Sequence, residues 1–275
     1  TSGVQASLVN AASNTGDAAG DTYASIENLI GSDFADTLAG NADANVLGGG
    51  AGNDSLNGGG GNDTIDGGTG TDTVTYSGTV TATANGPGGW TVNGGVANGT
   101  DSLSNVEVID DGAAGRILLV GNGGYATIQA AIDAAVAGDT IVVGPGTYNE
   151  ALTIDKQLTI QGANAGIAGT GVRGAESVLT WATGDMVTVS TTAQVTFDGL
   201  RFIANNDVLT EHVQASHITF TNSTFDIQSG GTGGNAFYLS QPAVFTFSNN
   251  LIDAHGYASA FFQPVGDPLD PSASQ

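Results

Sequence analysis

The chain has 275 residues, 40% of them hydrophobic, too apolar for a disordered segment and enough for one large domain or two medium ones. Its 27 acidic residues against four basic ones give a formal net charge of −23, which repels nucleic acid and anionic membranes and suits cations. Cysteine is absent, which excludes disulfides and thiolate metal sites, and no apolar stretch is long enough to span a bilayer.

The charge is uneven. Residues 1–115 hold twelve Asp and two Glu with no Lys or Arg, whereas Arg116, Lys156, Arg173 and Arg201 all lie beyond. In chain order, "GVQASLV" reads as an alternating strand and is followed by "GDTYASIENLI" from Gly20. Five nonapeptides then run without a gap: GSDFADTLA from Gly31, GNADANVLG from Gly40, GGAGNDSLN from Gly49, GGGGNDTID from Gly58 and GGTGTDTVT from Gly67. Their sixth positions are Asp36, Asn45, Asp54, Asp63 and Asp72, and their eighth are Leu38, Leu47, Leu56, Ile65 and Val74.

One apolar residue in nine builds a core only if coils stack, so that each eighth-position side chain packs on those above and below. The glycine-rich six residues before each short strand supply turns with positive φ. With two nonapeptides per coil and coils about 4.8 Å apart, Asp36, Asp54 and Asp72 fall in one column, and Asn45 and Asp63 in the other. A carboxylate column is self-repelling unless a cation sits between the turns. Carboxylates with turn carbonyls make the hard oxygen cage that calcium prefers.

These nonapeptides resemble the RTX (repeats-in-toxin) calcium-binding repeat. The resemblance implies several calcium ions, of order three, held by the sixth-position side chains and by backbone carbonyls of the turn glycines Gly49, Gly50, Gly52, Gly58, Gly59, Gly61, Gly67, Gly68 and Gly70. It further implies type I secretion and folding outside the cell, and Asn45 departs from the pattern. After the repeats, "TVTATA" and "GTDSLSNVEVI" echo the segments before them, with Asp21 and Glu27 matching Asp101 and Glu107. They are expected to be wider coils bordering the roll. The opening residues TSGVQASLVN carry no basic segment followed by an apolar one. The chain begins inside a repeated array and is expected to be a piece of a longer secreted protein.

The pattern changes near Arg116. "RILLV" reads as a strand, and "YATIQAAIDAAVAGDT" places Ile128, Ile132, Ala135 and Val136 at helical spacing with Gly138 as the stop. Phe197, Phe220 and Phe247 then recur at a spacing that suits three-strand rungs of a larger solenoid, with Phe202, Phe225 and Ile252 stacked inside and Asn222 and Asn249 sharing a turn. The segment from Tyr125 to Glu150, with "LTIQG" after it, is similar to the start of a right-handed parallel β-helix of the pectin lyase-like superfamily. The expected fold is therefore all-β: an RTX parallel β-roll with flanking coils over 1–115, then a right-handed parallel β-helix with a short N-terminal capping helix over 116–275.

Catalytic candidates are few. Asp226 and Asp253 fall at one point of adjacent rungs, about 5 Å apart, the separation that retaining glycosidases use. His212 and His217 lie near Arg201, Asp207 and Glu211, but five-residue spacing puts the two imidazoles on opposite strand faces. Trp90, Trp181, Tyr125 and Tyr148 could stack on sugars. The Tyr-Gly-x-Asp-Pro-His motif of alginate epimerases and the Arg-Ile-Lys motif of polygalacturonases are absent. The leading expectation is a non-enzymatic, calcium-dependent region of a secreted adhesin, surface layer or filament, without membrane insertion and with self-association and extracellular glycans as candidate partners. The alternative is an enzyme, a lyase, epimerase or hydrolase of uronic-acid polymers, working in the β-helix groove.

Overall fold

A lone apolar side chain every nine residues must find its neighbours in other coils, and the parallel registers provide them. The computed structural model describes residues 2–86, 88–112, 115–190, 194–204, 208–211, 217–228, 237–239, 244–253, 255 and 262–264. They fall into two units, Thr1–Ala126 and Thr127–Gln275.

The first unit is a parallel β-roll. One of its sheets stacks Gln5–Ser7, Thr37–Ala39, Ser55–Asn57, Thr73–Thr75 and Val108–Asp110; the other stacks Asn28–Ile30, Val46–Ala51, Thr64–Thr69 and Thr100–Ser104. Leu38 lies opposite Leu56 and Leu56 opposite Val74, while Leu47 lies opposite Ile65, so alternate nonapeptides share a sheet. All five eighth-position residues are at most 1% exposed. Each such burial contributes about 1.5–3 kcal/mol, so the core is thin but continuous.

The segment after the repeats differs from the expected wide parallel coil. Thr81–Ala84 pairs antiparallel with Trp90–Asn93, which pairs antiparallel with Thr100–Ser104. The link between the first two strands is only "NGPGG", closed by the Asn85 N–H donating to the Gly89 carbonyl. So short a link reverses the chain, and a parallel crossover needs many more residues. Trp90 and Val92 point into the core, which removes Trp90 from the sugar-stacking candidates.

The second unit is a parallel β-helix whose described strands stack in three columns of five. Successive rungs begin at Thr140–Val143, Leu158–Gln161, Gln194–Asp198, His217–Thr221 and Val244–Ser248. Phe197, Phe220 and Phe247 share one register, and Phe202, Phe225 and Ile252 another, as the spacing predicts. Ring centroids of Phe197 and Phe220 lie 4.8 Å apart, and those of Phe202 and Phe225 5.0 Å apart. Ile252, in the last rung whose inward side chains are described, is 38% exposed. Asn222 and Asn249 both adopt positive φ at the shared turn. The Asn222 amide donates to Asp198 Oδ1 rather than to an amide neighbour.

The capping helix spans Ile128–Ala134. Thr127 caps its start, the Glu150 carboxylate accepts from the Ile128 and Gln129 N–H groups, and the Lys156 ammonium donates to the Ile132 and Ala135 carbonyls. Charges of opposite sign thus sit at the two ends of the helix dipole. The helix stops earlier than Gly138: Ala135 is already extended, and Val136, expected on the buried face, is 57% exposed.

A loop over residues 162–176 lies along the turns of three rungs. Arg173, its side chain 8% exposed, pairs with Glu176 and donates to the carbonyls of Ile167, Gly199 and Asn222. Gly169 N–H donates to the Asn249 carbonyl. Replacing Arg173 with Ala strands Glu176 and these carbonyls and is expected to cost about 3 kcal/mol. Arg201→Ala, which breaks a half-exposed pair, is expected to cost at most about 1 kcal/mol. Urea denaturation of the two variants checks this order.

Candidate metal centre

The sixth-position residues line up as two columns of buried polar side chains. In one, the Asp36 N–H donates to Asp54 Oδ1, the Asp54 N–H to Asp72 Oδ1 and the Asp72 N–H to Glu107 Oε2, each at 2.8 Å. In the other, the Asn45 N–H donates to Asp63 Oδ1 and the Asp63 N–H to Asp101 Oδ1, also at 2.8 Å. Asp54 thus faces Asp36 and Asp72, while Asp63 faces Asn45, as two nonapeptides per coil require.

Asp101 and Glu107 extend both columns beyond the repeats. Sequence reasoning paired them with Asp21 and Glu27 but did not place them in the site. The signal was available: Asp101 precedes Leu103, and Glu107 precedes Ile109, by the same two residues that separate Asp54 from Leu56. Asp101 and Glu107 are buried, whereas Asp21 and Glu27 are exposed.

One oxygen of each inner carboxylate is spent on its neighbour's N–H. The other, Oδ2 of Asp54, Asp63 and Asp72, is buried without a hydrogen-bond partner. An unpaired buried anion is costly, so these atoms call for a cation. The space beside them is kept open by glycine. A Cβ on Gly49 would collide with Asp54 Oδ2 and the Gly67 carbonyl oxygen, and one on Gly58 with Asp63 Oδ2. One on Gly67 would crowd Asp72 Oδ2 and collide with the Asn105 carbonyl oxygen. At the second position, Gly50 holds φ of 106°, and a Cβ there would strike the Ser32 carbonyl of the preceding coil. Gly52, Gly59, Gly61, Gly68 and Gly70 also hold positive φ in these turns. Among the described residues no three Asp, Glu or His side chains converge on one point. A cage here would have to be completed by backbone carbonyls, and that all-oxygen donor set fits a calcium-like hard cation.

Burial pushes the Asp63 and Asp72 carboxyls up to about 6, with the charges of Asp101 and Asp54 respectively adding to the rise. It raises Asp54, Asp101 and Glu107 as well.

The second unit contains a different cluster. Asp226 and Asp253 occupy one register position on adjacent rungs, as expected. Arg201 Nη2 lies 3.1 Å from Asp226 Oδ2, and His255 Nε2 lies 2.9 Å from Asp226 Oδ1. Asp253 Oδ1 accepts from the His255 N–H. The cluster borders a cavity of about 280 Å³ that Glu176 and Thr224 also line. Burial opposes the Asp226 charge, but hydrogen bonds from His255, Arg201 and Gln228 outweigh it and hold the carboxyl below its ordinary range. The hydrogen bond to Asp226 and the charge of Asp253 raise His255. His217 is exposed on another sheet, so Arg201 works with Asp226 and His255, not with His217. His212 and Asp207 lie outside the described residues, as does the Glu211 side chain. Tyr148 donates to the Gly144 carbonyl, and Tyr125 and Trp181 are half-buried.

Residues 21–56, and again 40–74, match the RTX calcium-binding nonapeptide repeat (4 copies). RTX repeats bind calcium, and this stretch is the chain's calcium-binding region. Proteins with such repeats are typically secreted, and no described helix is long and apolar enough to cross a membrane. No curated protein matches the chain.

Without calcium the raised carboxyls fix the sign of the pH response. Folded Asp63 and Asp72 bind protons more tightly than the unfolded chain does. Their contribution to stability is therefore fully present below about pH 4 and is lost as pH rises through about 6. In calcium-free buffer, the folded fraction of the roll, low at pH 7, is expected to rise as pH falls toward 5, and an Asp63→Asn, Asp72→Asn double variant is expected to flatten that rise. Circular dichroism at several pH values measures both.

Proposed function

We propose that the chain is a calcium-organised region of a secreted surface or matrix protein, such as an adhesin, a surface-layer component or a filament subunit, that leaves the cell by type I secretion. The observation that carries this reading is the pair of buried carboxylate columns, whose unpaired Oδ2 atoms need a cation. A roll built around such columns is disfavoured where calcium is scarce, as in a cytoplasm, and favoured where it is abundant. Cation binding is then part of folding. Asp54, Asp63 and Asp72 hold the ions together with turn carbonyls, and the bound charge relieves the repulsion along each column. The outer surface remains strongly acidic and repels nucleic acid phosphates. Stacked parallel rungs end in strand edges, which suit self-association.

Removing calcium is expected to unfold residues 20–112 and to leave the second unit, whose aromatic core needs no metal, intact. Circular dichroism before and after EGTA tests this, and an unchanged strand signal would sink it.

The Arg201, Asp226 and His255 cluster favours a second reading, a saccharide-active groove on the β-helix. Arg201 supplies a cation for a uronate carboxylate, and Asp226 orients the His255 imidazole for proton transfer. Under this reading Asp226→Ala abolishes turnover of uronic-acid polymers while calcium binding persists. A screen of such polymers that finds no activity in the unsubstituted chain removes it.

A further inference from the structure

We infer that the calcium sites of the roll are shifted toward its C-terminal end and completed by residues outside the nonapeptides, with Asp101, Glu107 and the Asn105 carbonyl closing the last ones and the first coil closed by the protein's own donors. The inference rests on the calcium reading above and assigns the ions to particular gaps between coils.

The five repeats are not equivalent at their second position. Gly50, Gly59 and Gly68 occupy it in the last three, but Ser32 and Asn41 occupy it in the first two. That difference decides what the sixth-position side chain meets. Asp36 takes donors from the Val4 N–H, the Ser32 N–H and the Ser32 hydroxyl, so both its oxygens are engaged. Asn45 Oδ1 stands where its neighbours carry the bare carboxylate oxygen, but it accepts from the Asn41 N–H at 2.8 Å, and the Asn45 amide nitrogen is buried without a partner. Asp54, Asp63 and Asp72 have no such local donor, and theirs are the oxygens left bare.

The coil that follows brings further oxygens beside each of these residues. For Asp54 that coil brings Asp72 and the Gly67 carbonyl. For Asp72 it brings Glu107 and the Asn105 carbonyl, the latter colliding with a Cβ on Gly67 as the Gly67 carbonyl does with one on Gly49. Asn105 has φ of 49°, a left-handed turn in a segment without the nonapeptide glycines. For Asp63 the next coil brings Asp101, 1% exposed. Two of the three gaps with a bare carboxylate oxygen are thus finished by the coil of residues 100–110.

Calorimetric titration of the chelator-stripped chain with calcium alone tests this. Asp101→Asn and Glu107→Gln keep an acceptor for the neighbouring N–H, and each is expected to lose one bound ion or to weaken one site at least tenfold. Asp36→Asn is expected to leave the number bound unchanged. The double variant Asn41→Gly, Asn45→Asp opens the closed gap of the second column and is expected to gain one ion. If the unsubstituted chain binds no calcium, the calcium reading itself falls. If it binds calcium, and Asp36→Asn loses an ion while Asp101→Asn and Glu107→Gln retain all of theirs, the assignment to gaps is overturned and the calcium reading stands. Should a loss variant fail to fold in saturating calcium, the gain variant decides: no added ion overturns the assignment.

Discussion

The first unit depends on one repeated hydrogen bond, from the backbone N–H of a sixth-position residue to the carboxylate of the coil that follows. It satisfies a buried backbone donor and ties each coil to the next in the same register that the leucine column follows. The same bond obliges negative charge to be buried in line at the spacing of stacked strands. Hydrogen bonding lowers the cost of these charges but leaves the second oxygen of Asp54, Asp63 and Asp72 bare, so the fold is incomplete in terms of its own atoms. The glycine cradle, the thin core and the acidity of the chain all follow from that obligation.

The second unit meets the same stacking problem with neutral groups. Phenylalanine rings stacked face to face at about one strand spacing, and edge-on across the core, take the place that carboxylate and cation hold in the roll. Its described turns use Asn and Gly at positive φ, and among the described residues no carboxylate column runs through them. Its few basic residues are committed to particular partners: Lys156 at the end of the capping helix, Arg173 in the loop beside the turns and Arg201 with Asp226. One chain therefore holds two ways of stacking coils, one built on buried carboxylates and one on aromatic rings.

Much of this was legible in the sequence because both architectures are periodic. The eighth-position residues gave the core of the roll, and the spacing of Phe197, Phe220 and Phe247 gave the rungs. Non-repeating segments were harder. The segment "TVTATA" alternates like its counterpart near the start, yet a five-residue glycine-rich link makes it a hairpin, and alternation alone does not distinguish the two. Val136 lies one helical turn from Ile132, but Ala135 has already turned extended. Asp101 and Glu107 were visible as acids, but their part in the columns depended on the register of a coil that has no nonapeptide. The pairing of His255 with Asp226 joins groups 29 residues apart through a turn with no motif.

The loop pinned by Arg173 bears on how the second unit responds to force. In a stack of parallel rungs, tension along the axis loads the hydrogen bonds of one rung at a time, and the stack comes apart like a zipper. The loop over residues 162–176 is anchored to the turns at Gly199, Asn222 and Asn249, so it lies across three interfaces and must be sheared before any of them can part. A buried guanidinium with several acceptors thereby turns a sequence of weak ruptures into one stronger event.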